Sequence, residues 1–574
     1  MKRKKPEKSK IDRAVAIHIA VDKKPFTEVT KPAFRNMMKT ANPDYNLPAP
    51  ARVKSICRDL YREVKDDFLK KEISDITSVH LTADEWTSPA SAEYLGVTAH
   101  GVTDDWQLKR YTLALVHLKE ACTGKYIASV LEKVAREYGI SNPIITTDKG
   151  PNMVKATKRL NWTQIPCCAH RMNLVVKASF GVQVVADAKD KVKTLVTRFK
   201  KSAPLRHSLE SNAEALSQTP EGADIGDKRK LVQEVPTRWN SAFEMIQRVL
   251  DLKPALQMVS VHHQDVGPML PTPEEWSTLG DMVAILRPFK RLTEDVSGSH
   301  YVTSTSAEIV MKNGIRENLI LDARNESAAI TAMKKAMKGK LDEIEKEMTS
   351  DTCEVLRLST FLNPDLRGFF HDQEKRTVHQ AWMKSFFKKD DIPALLLEFG
   401  KQRGLLSEQP DQPFHQDEML PPAKKLKLQR EEEYNHQFSK RAEMYGALYV
   451  KSAATTDDSD LNSMRSEVEA YLTFSMKTEE NRKGVKPEIW WKRHHIYFPQ
   501  LSPLARCLMG IPSTSVPSEQ LFSQVKQIVT DKRQSLHHDT AEILAVLHGN
   551  SEYLLPQEIS HSSEGEQPDI VDTE

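Results

Sequence analysis

The period of apolar positions changes several times along this chain, and each change marks a change of element. From about residue 11 to 75 the spacing is helical. Ile11, Val15, Ile17, Ile19 and Val21 give a mixed apolar face, and Val53, Ile56, Leu60, Val64, Phe68 and Leu69 keep a cleaner three-and-four repeat. Asn42-Pro43-Asp44 and Leu47-Pro48-Ala49-Pro50 break the segment between them. Val79 to Asp84 then predicts a short strand. Tyr94 to Val102 and Leu108 to Leu118, rich in β-branched and aliphatic residues, predict two more. Thr123 to Tyr138 returns to helical spacing. Pro143 to Thr147 predicts a buried strand ending at Asp148, Asn152 to Leu160 a helix, Gln164 to Cys167 a brief strand, and His170 to Phe199 one long helix. Strands and helices interleaved in this order describe a mixed α/β domain. From about 240 to 400 the pattern is almost wholly helical, with a charged amphipathic helix over 326–348. Residues 405–435, rich in Gln, Glu, Pro and Lys, predict disorder. Helical and mixed signals resume near 436 and close with a helix from Asp539 to Leu547, before an acidic, Ser-rich tail from 556 that also predicts disorder.

Composition narrows the classes. A chain of 574 residues exceeds one hydrophobic core and implies two to four domains. Net charge is only +3, so any case for nucleic-acid binding rests on local patches rather than a global basic field. The six cysteines form no C-x-x-C pair, which fits a reducing compartment. No apolar run approaches the roughly 18 residues of a membrane span. The basic clusters Lys2-Arg3-Lys4-Lys5 and Lys424-Lys425-Leu426-Lys427 suggest a nuclear location.

The candidate chemistry lies at strand ends. Asp84 and Asp148 each follow a short apolar strand, where the edge of an α/β sheet leaves a crevice. Carboxylates gathered there can hold divalent metal for phosphoryl transfer, and hard oxygen ligands suit Mg²⁺ or Mn²⁺. An Asp after a strand also serves as a helix cap or turn residue.

The words around these residues resemble the hAT transposase superfamily, including host-domesticated relatives with BED-type zinc fingers. Leu81 to Ser88, Ile145 to Met153, Cys167-Cys168-Ala169-His170-Arg171-Met172-Asn173-Leu174 and Pro236-Thr237-Arg238-Trp239-Asn240-Ser241 are similar to ordered family blocks. Trp490-Trp491 through Ser518-Glu519-Gln520-Leu521-Phe522 to Lys532-Arg533-Gln534-Ser535-Leu536 and Asn550 resembles its C-terminal dimerisation block. The resemblance implies a ribonuclease-H-like α/β core interrupted by a large all-α insertion. It divides the chain into a helical linker over 1–75, the first part of the core over 76–240, the insertion over 241–435, a return to the core with the dimerisation region over 436–550, and a tail over 551–574.

The same resemblance implies Asp84, Asp148 and Glu519 as the catalytic, metal-binding triad with Mg²⁺ or Mn²⁺. It implies Trp86, His170, Arg238 and Trp239 beside DNA, and Trp490, Trp491, Phe522 and Leu547 in dimerisation. Packing is the alternative for the tryptophans, and burial inside one chain for the dimerisation region. Cys167 and His170 make half a zinc site, so no zinc is expected. The finger's ligands would precede residue 11, so no BED finger is expected, and DNA contact would rest on phosphates with low sequence specificity. Gln520 stands where the family has Arg, and Lys149-Gly150-Pro151 replaces Asn-Ala-x, placing a cation beside Asp148. Three functions stay open: a domesticated nuclear dimer that binds DNA or chromatin and regulates transcription, a DNA transposase performing strand cleavage and transfer, or a protein-interaction scaffold.

Overall fold

The computed structural model describes residues 8–88, 91–219, 225, 227–235, 239–298, 315, 319–321, 326–364, 391–406, 459–474, 486–528 and 537–555. Among these, one five-stranded sheet is set in a largely helical protein. The chain begins with helices α1 (Lys8–Val21), α2 (Pro32–Ala41) and α3 (Pro50–Glu63). Pro32 and Pro50 open α2 and α3, where a missing N–H costs nothing. Arg13 grips Glu63 with two hydrogen bonds of 2.7 Å, tying α1 to α3.

The strands are β1 (His80–Thr87), β2 (Glu93–Val102), β3 (Leu108–Leu118), β4 (Ile145–Thr147) and β5 (Gln164–Pro166), in the order β3-β2-β1-β4-β5. The first three form an antiparallel meander, and β4 and β5 continue it in parallel. β2 is buried from Tyr94 onward, including the polar Thr98 and His100. β1 is buried only from His80 to Ala83 and begins to emerge at Asp84. Helix α4 (Gly124–Glu137) is capped by the Thr123 hydroxyl, and α5 (Pro151–Leu160) ends at Asn161 in the left-handed region, at φ 54°.

The predicted helix from His170 to Phe199 is instead two, α6 (Cys168–Ser179) and α7 (Gln183–Lys200). Phe180-Gly181-Val182 breaks it with two successive tight turns, Gly181 N–H to Ala178 O and Val182 N–H to Ser179 O. From Cys168 to Met509 every described element is helical, including α8 (Pro273–Ser297), α9 (Ala328–Lys346) and α10 (Leu501–Met509). α8 opens with a reciprocal capping box between Thr272 and Glu275. The stretches expected to be disordered, 405–435 and the tail from 556, lie almost wholly outside the described residues.

Three apolar cores result. One joins the sheet to α1–α5 and to two late helices, α11 (Val516–Ile528) and α12 (His538–Gly549). A second lies within the helical body from Cys168 to Ile344. The third gathers Phe361, Tyr471, Trp490, Trp491 and Phe498, and meets the sheet through Trp106 and Ile165.

The end of α12 is fastened to β3. Asn550 accepts from the Thr112 N–H and donates to the Thr112 carbonyl. At Gly549 an added Cβ would lie 2.7 Å from the Thr112 Cβ. Gly549→Ala is therefore expected to destabilise the protein by about 1–3 kcal/mol through overpacking. Urea denaturation measures this, and an unchanged midpoint would show that α12 can lift off β3 at no cost.

Candidate functional site

β1 and β4 run side by side in parallel, with Leu81 opposite Ile145 and Thr82 opposite Thr146. Two residues beyond the second pair lie Asp84 and Asp148, so the register alone brings both carboxylates to the same edge of the sheet. Asp84 Oδ1 accepts the Glu85 N–H and Asp148 Oδ1 accepts the Gly150 N–H, which steadies each side chain. A Cβ at position 150 would sit 3.2 Å from Asp148 Oδ1, so glycine leaves room for that turn.

Glu519 arrives from the far end of the chain. The segment before α11 is laced to the sheet: Thr146 Oγ1 donates to the Pro512 carbonyl, Cys168 N–H to the Ser513 carbonyl, and Ser515 N–H to Cys167 Sγ. α11 then crosses β1 and β2, with Ser518 Oγ 2.6 Å from Thr82 Oγ1. Glu519 follows in the first turn of α11, where the helix dipole favours an anion.

The other two carboxyls act on Asp84. Burial, then Glu519, then Asp148 push the Asp84 carboxyl up to about 8. A fourth acid, which the motif reading passed over, joins the rim: burial and then Asp148 and Glu93 raise the Glu85 carboxyl. Lys149 does not neutralise the group. Its ammonium donates to the Glu347 carbonyl at 3.1 Å and pairs with the Glu347 carboxylate at 3.3 Å. The cation expected beside Asp148 is thus paired with Glu347 instead. Hard-oxygen donors of this kind suit Mg²⁺ or Mn²⁺ in chemistry. Among the described residues, no three His, Cys, Asp or Glu side chains already converge to metal-holding distance.

The remaining expected site residues divide. Trp86 is partly exposed at the rim and stacks on Phe522 with centroids 5.8 Å apart. His170 is partly exposed in the first turn of α6, one turn from the buried Cys167. Trp239 takes the packing alternative: it is buried in the helical body against Phe243. Arg238 lies outside the described residues, as do Lys532-Arg533-Gln534-Ser535-Leu536 and both basic clusters. The four residues expected at a dimer surface take the alternative of burial inside one chain. Trp490 and Trp491, 2% and 0% exposed, fill the third core, and Trp491 Nε1 donates to the Leu362 carbonyl. Phe522 and Leu547 are buried against the sheet. Among the described residues of this region, the large apolar side chains left in the open are Ile489 and Ile496, the latter 61% exposed. Their motif neighbours drew the reading to the tryptophans instead.

A further set unseen in the motifs is a polar column beneath α11. His80, Thr82 and Asp84 alternate on β1 and face His100, Thr98 and Gly96 on β2. Polar residues at alternate positions of an otherwise apolar strand were its signal.

Comparison with known proteins agrees with this architecture. Residues 82–164 match the ZBED1 RNase-like domain, 165–285 the ZBED1 RNase-like helical domain, and 467–551 the hAT family C-terminal dimerisation region. The chain is 23% identical to a putative AC transposase of Zea mays, across 94% of this chain and 65% of that protein. It is 24% identical to the putative transcriptional regulator tpeD of Talaromyces stipitatus, across 95% and 64%. It is 23% identical to the human zinc finger BED domain-containing protein 4, across 90% and 41%. The chain thus spans less than two thirds of the length of these relatives.

The Asp84 carboxyl yields a signed pH prediction. Raised to about 8, it holds its proton more tightly folded than unfolded, where a free Asp titrates near ~3.9. Stability should therefore fall as pH rises between those values and level off above the higher one. In EDTA, wild type should lose unfolding free energy relative to Asp84→Asn from about pH 5 to about pH 8. A constant gap across that range would show that Asp84 titrates as an ordinary surface acid.

Proposed function

This chain derives from the hAT transposases, and on that premise we propose that it acts on DNA as a homodimer, with Asp84, Asp148 and Glu519 forming a divalent-metal centre that faces a DNA phosphate. One observation supports the reading: adjacent parallel strand ends and the first turn of α11 bring three carboxylates near enough that Glu519 and Asp148 both act on Asp84. We take the sheet with its five-strand order as a ribonuclease-H-like core, the helical body as an insertion within it, and α11 as the core helix regained afterwards.

The fit to Mg²⁺ or Mn²⁺ is one of donor chemistry. A bound ion would polarise a phosphate oxygen and make a water more acidic. The protein's part is to hold the acids at a solvent-facing rim, to keep Lys149 engaged with Glu347, and to shelter one side with Trp86. DNA would also meet basic side chains beyond the centre. In the helical body Lys200, Arg206, Arg229 and Lys230, together with Glu210, line a cavity of ≈ 160 Å³. Such contacts position a backbone without reading sequence. A nuclear location is proposed from the two basic clusters.

A second reading, regulation of transcription without strand cleavage, is favoured by the relative named a transcriptional regulator. The two separate on one experiment. Mn²⁺ is titrated by calorimetry into wild type and Asp84→Ala/Asp148→Ala, and nicking of a hairpin DNA is scored on the same samples. Triad-dependent binding with nicking supports the metal-centre reading. DNA retention without triad-dependent binding supports regulation, and loss of both leaves a protein scaffold.

We propose Ile489 and Ile496 for the dimer face, supported by their exposure beside the buried tryptophans. Ile489→Glu/Ile496→Glu should shift the mass in light scattering from dimer to monomer without lowering the melting temperature. A persistent dimer would move the interface elsewhere.

A further inference from the structure

Two hydrogen-bonded tethers hold α11 on either side of Glu519. The first begins inside the sheet. His100 Nε2 lies 2.7 Å from Thr98 Oγ1, Thr98 Oγ1 lies 2.5 Å from Thr82 Oγ1, and Thr82 Oγ1 lies 2.6 Å from Ser518 Oγ. All four residues are buried. The second tether comes from β3, where Arg110 Nη1 donates to Gln520 Oε1 at 2.8 Å.

Packing alone does not ask for this column. Valine has nearly the shape of threonine and carries no hydroxyl to desolvate, so an apolar face here would avoid the cost of burying polar groups. The column makes sense as a device that fixes direction. Successive helix residues turn by about 100°, so Ser518 and Gln520 project about 200° apart with Glu519 between them. A helix held at one point can roll about its axis, and a helix held at two such points cannot. Phe522 sets the height, since its ring rests on Gly96, where an added Cβ would come within 2.9 Å.

We propose that Thr82 and Ser518, backed by Thr98 and His100, are positioning residues that set the reach of Glu519 toward Asp84 and Asp148 and so tune metal affinity. The inference rests on the metal-centre reading. The column stands behind the acids and ties the roll of α11 to the register of β1. Thr82 precedes Asp84 by two residues on the same face of that strand, and Ser518 precedes Glu519 by one. Joining these two hydroxyls therefore joins the two acids by the shortest route the backbone offers.

The test titrates Mn²⁺ into the full chain by calorimetry, with melting temperatures recorded alongside, for wild type, Asp84→Asn, Thr82→Val, Thr82→Ser and Ser518→Ala. Wild type should bind and Asp84→Asn should not. Thr82→Val and Ser518→Ala should each weaken binding by about tenfold or more, as loss of a group that orients a metal ligand does, while Thr82→Ser, which keeps the hydroxyl, stays within about threefold of wild type. A purely structural role would lower melting temperature and leave affinity intact in the folded fraction. Wild-type affinity in folded Thr82→Val overturns the inference alone, and if that variant does not fold, Ser518→Ala decides by the same criterion. Absence of any Asp84-dependent binding in wild type overturns the metal-centre reading, and this inference falls with it.

Discussion

The hydrogen bond between Thr82 and Ser518 joins residues 436 positions apart, and the site exists because that closure is made. Closing so long a loop costs conformational entropy, although the cost grows only slowly with length. The structure offsets it with many contacts along a short return path. Residues 512–515 bond to β4 and to the start of α6, α11 lies on β1 and β2, and α12 ends on β3. The N-terminal helices add to the same closure from outside, where Tyr61 donates to Glu542 of α12. One apolar core therefore contains both the first and the last described helices.

That closure sets like charges against one another. Asp84, Asp148 and Glu519 meet where β1 leaves the core, with Glu85 at the edge. Burial opposes ionisation of Asp84, and Glu519 and Asp148 add to the opposition. The Glu85 N–H offsets part of this at Asp84, while Gly150 N–H bonds to Asp148 and Glu519 sits in the first turn of α11. The one cation adjacent in sequence to Asp148 is spent on Glu347. Perturbed carboxyls of this kind cluster at functional sites more often than at structural ones.

The aromatic residues show how much a motif's meaning depends on its surroundings. Trp239, Trp490 and Trp491 stand in conspicuous words, yet each is buried, and Trp491 spends its N–H on a carbonyl inside the chain. Large rings contribute most when fully removed from water, and the helical parts of this protein offer them that place. Trp86 differs because it sits on β1 beyond the point where the strand emerges. It rests one face on Phe522 and leaves part of itself at the rim.

Local periodicity by itself determined the strands and most of the helices, since alternation and three-and-four spacing depend on neighbours only a few residues away. β2 and β3 fall within a residue of their predicted runs, and Asp84 was already marked by the apolar run before it. The break at Phe180–Val182 escaped because a tight turn without proline barely disturbs an apolar repeat. What tertiary structure alone decided was who meets whom. Lys149 turned to Glu347, the tryptophans went inward, Ile489 and Ile496 stayed out, and Ser518 found Thr82. Each of these depends on segments tens to hundreds of residues apart, and the pattern of any one segment carries no record of the surface it will be packed against.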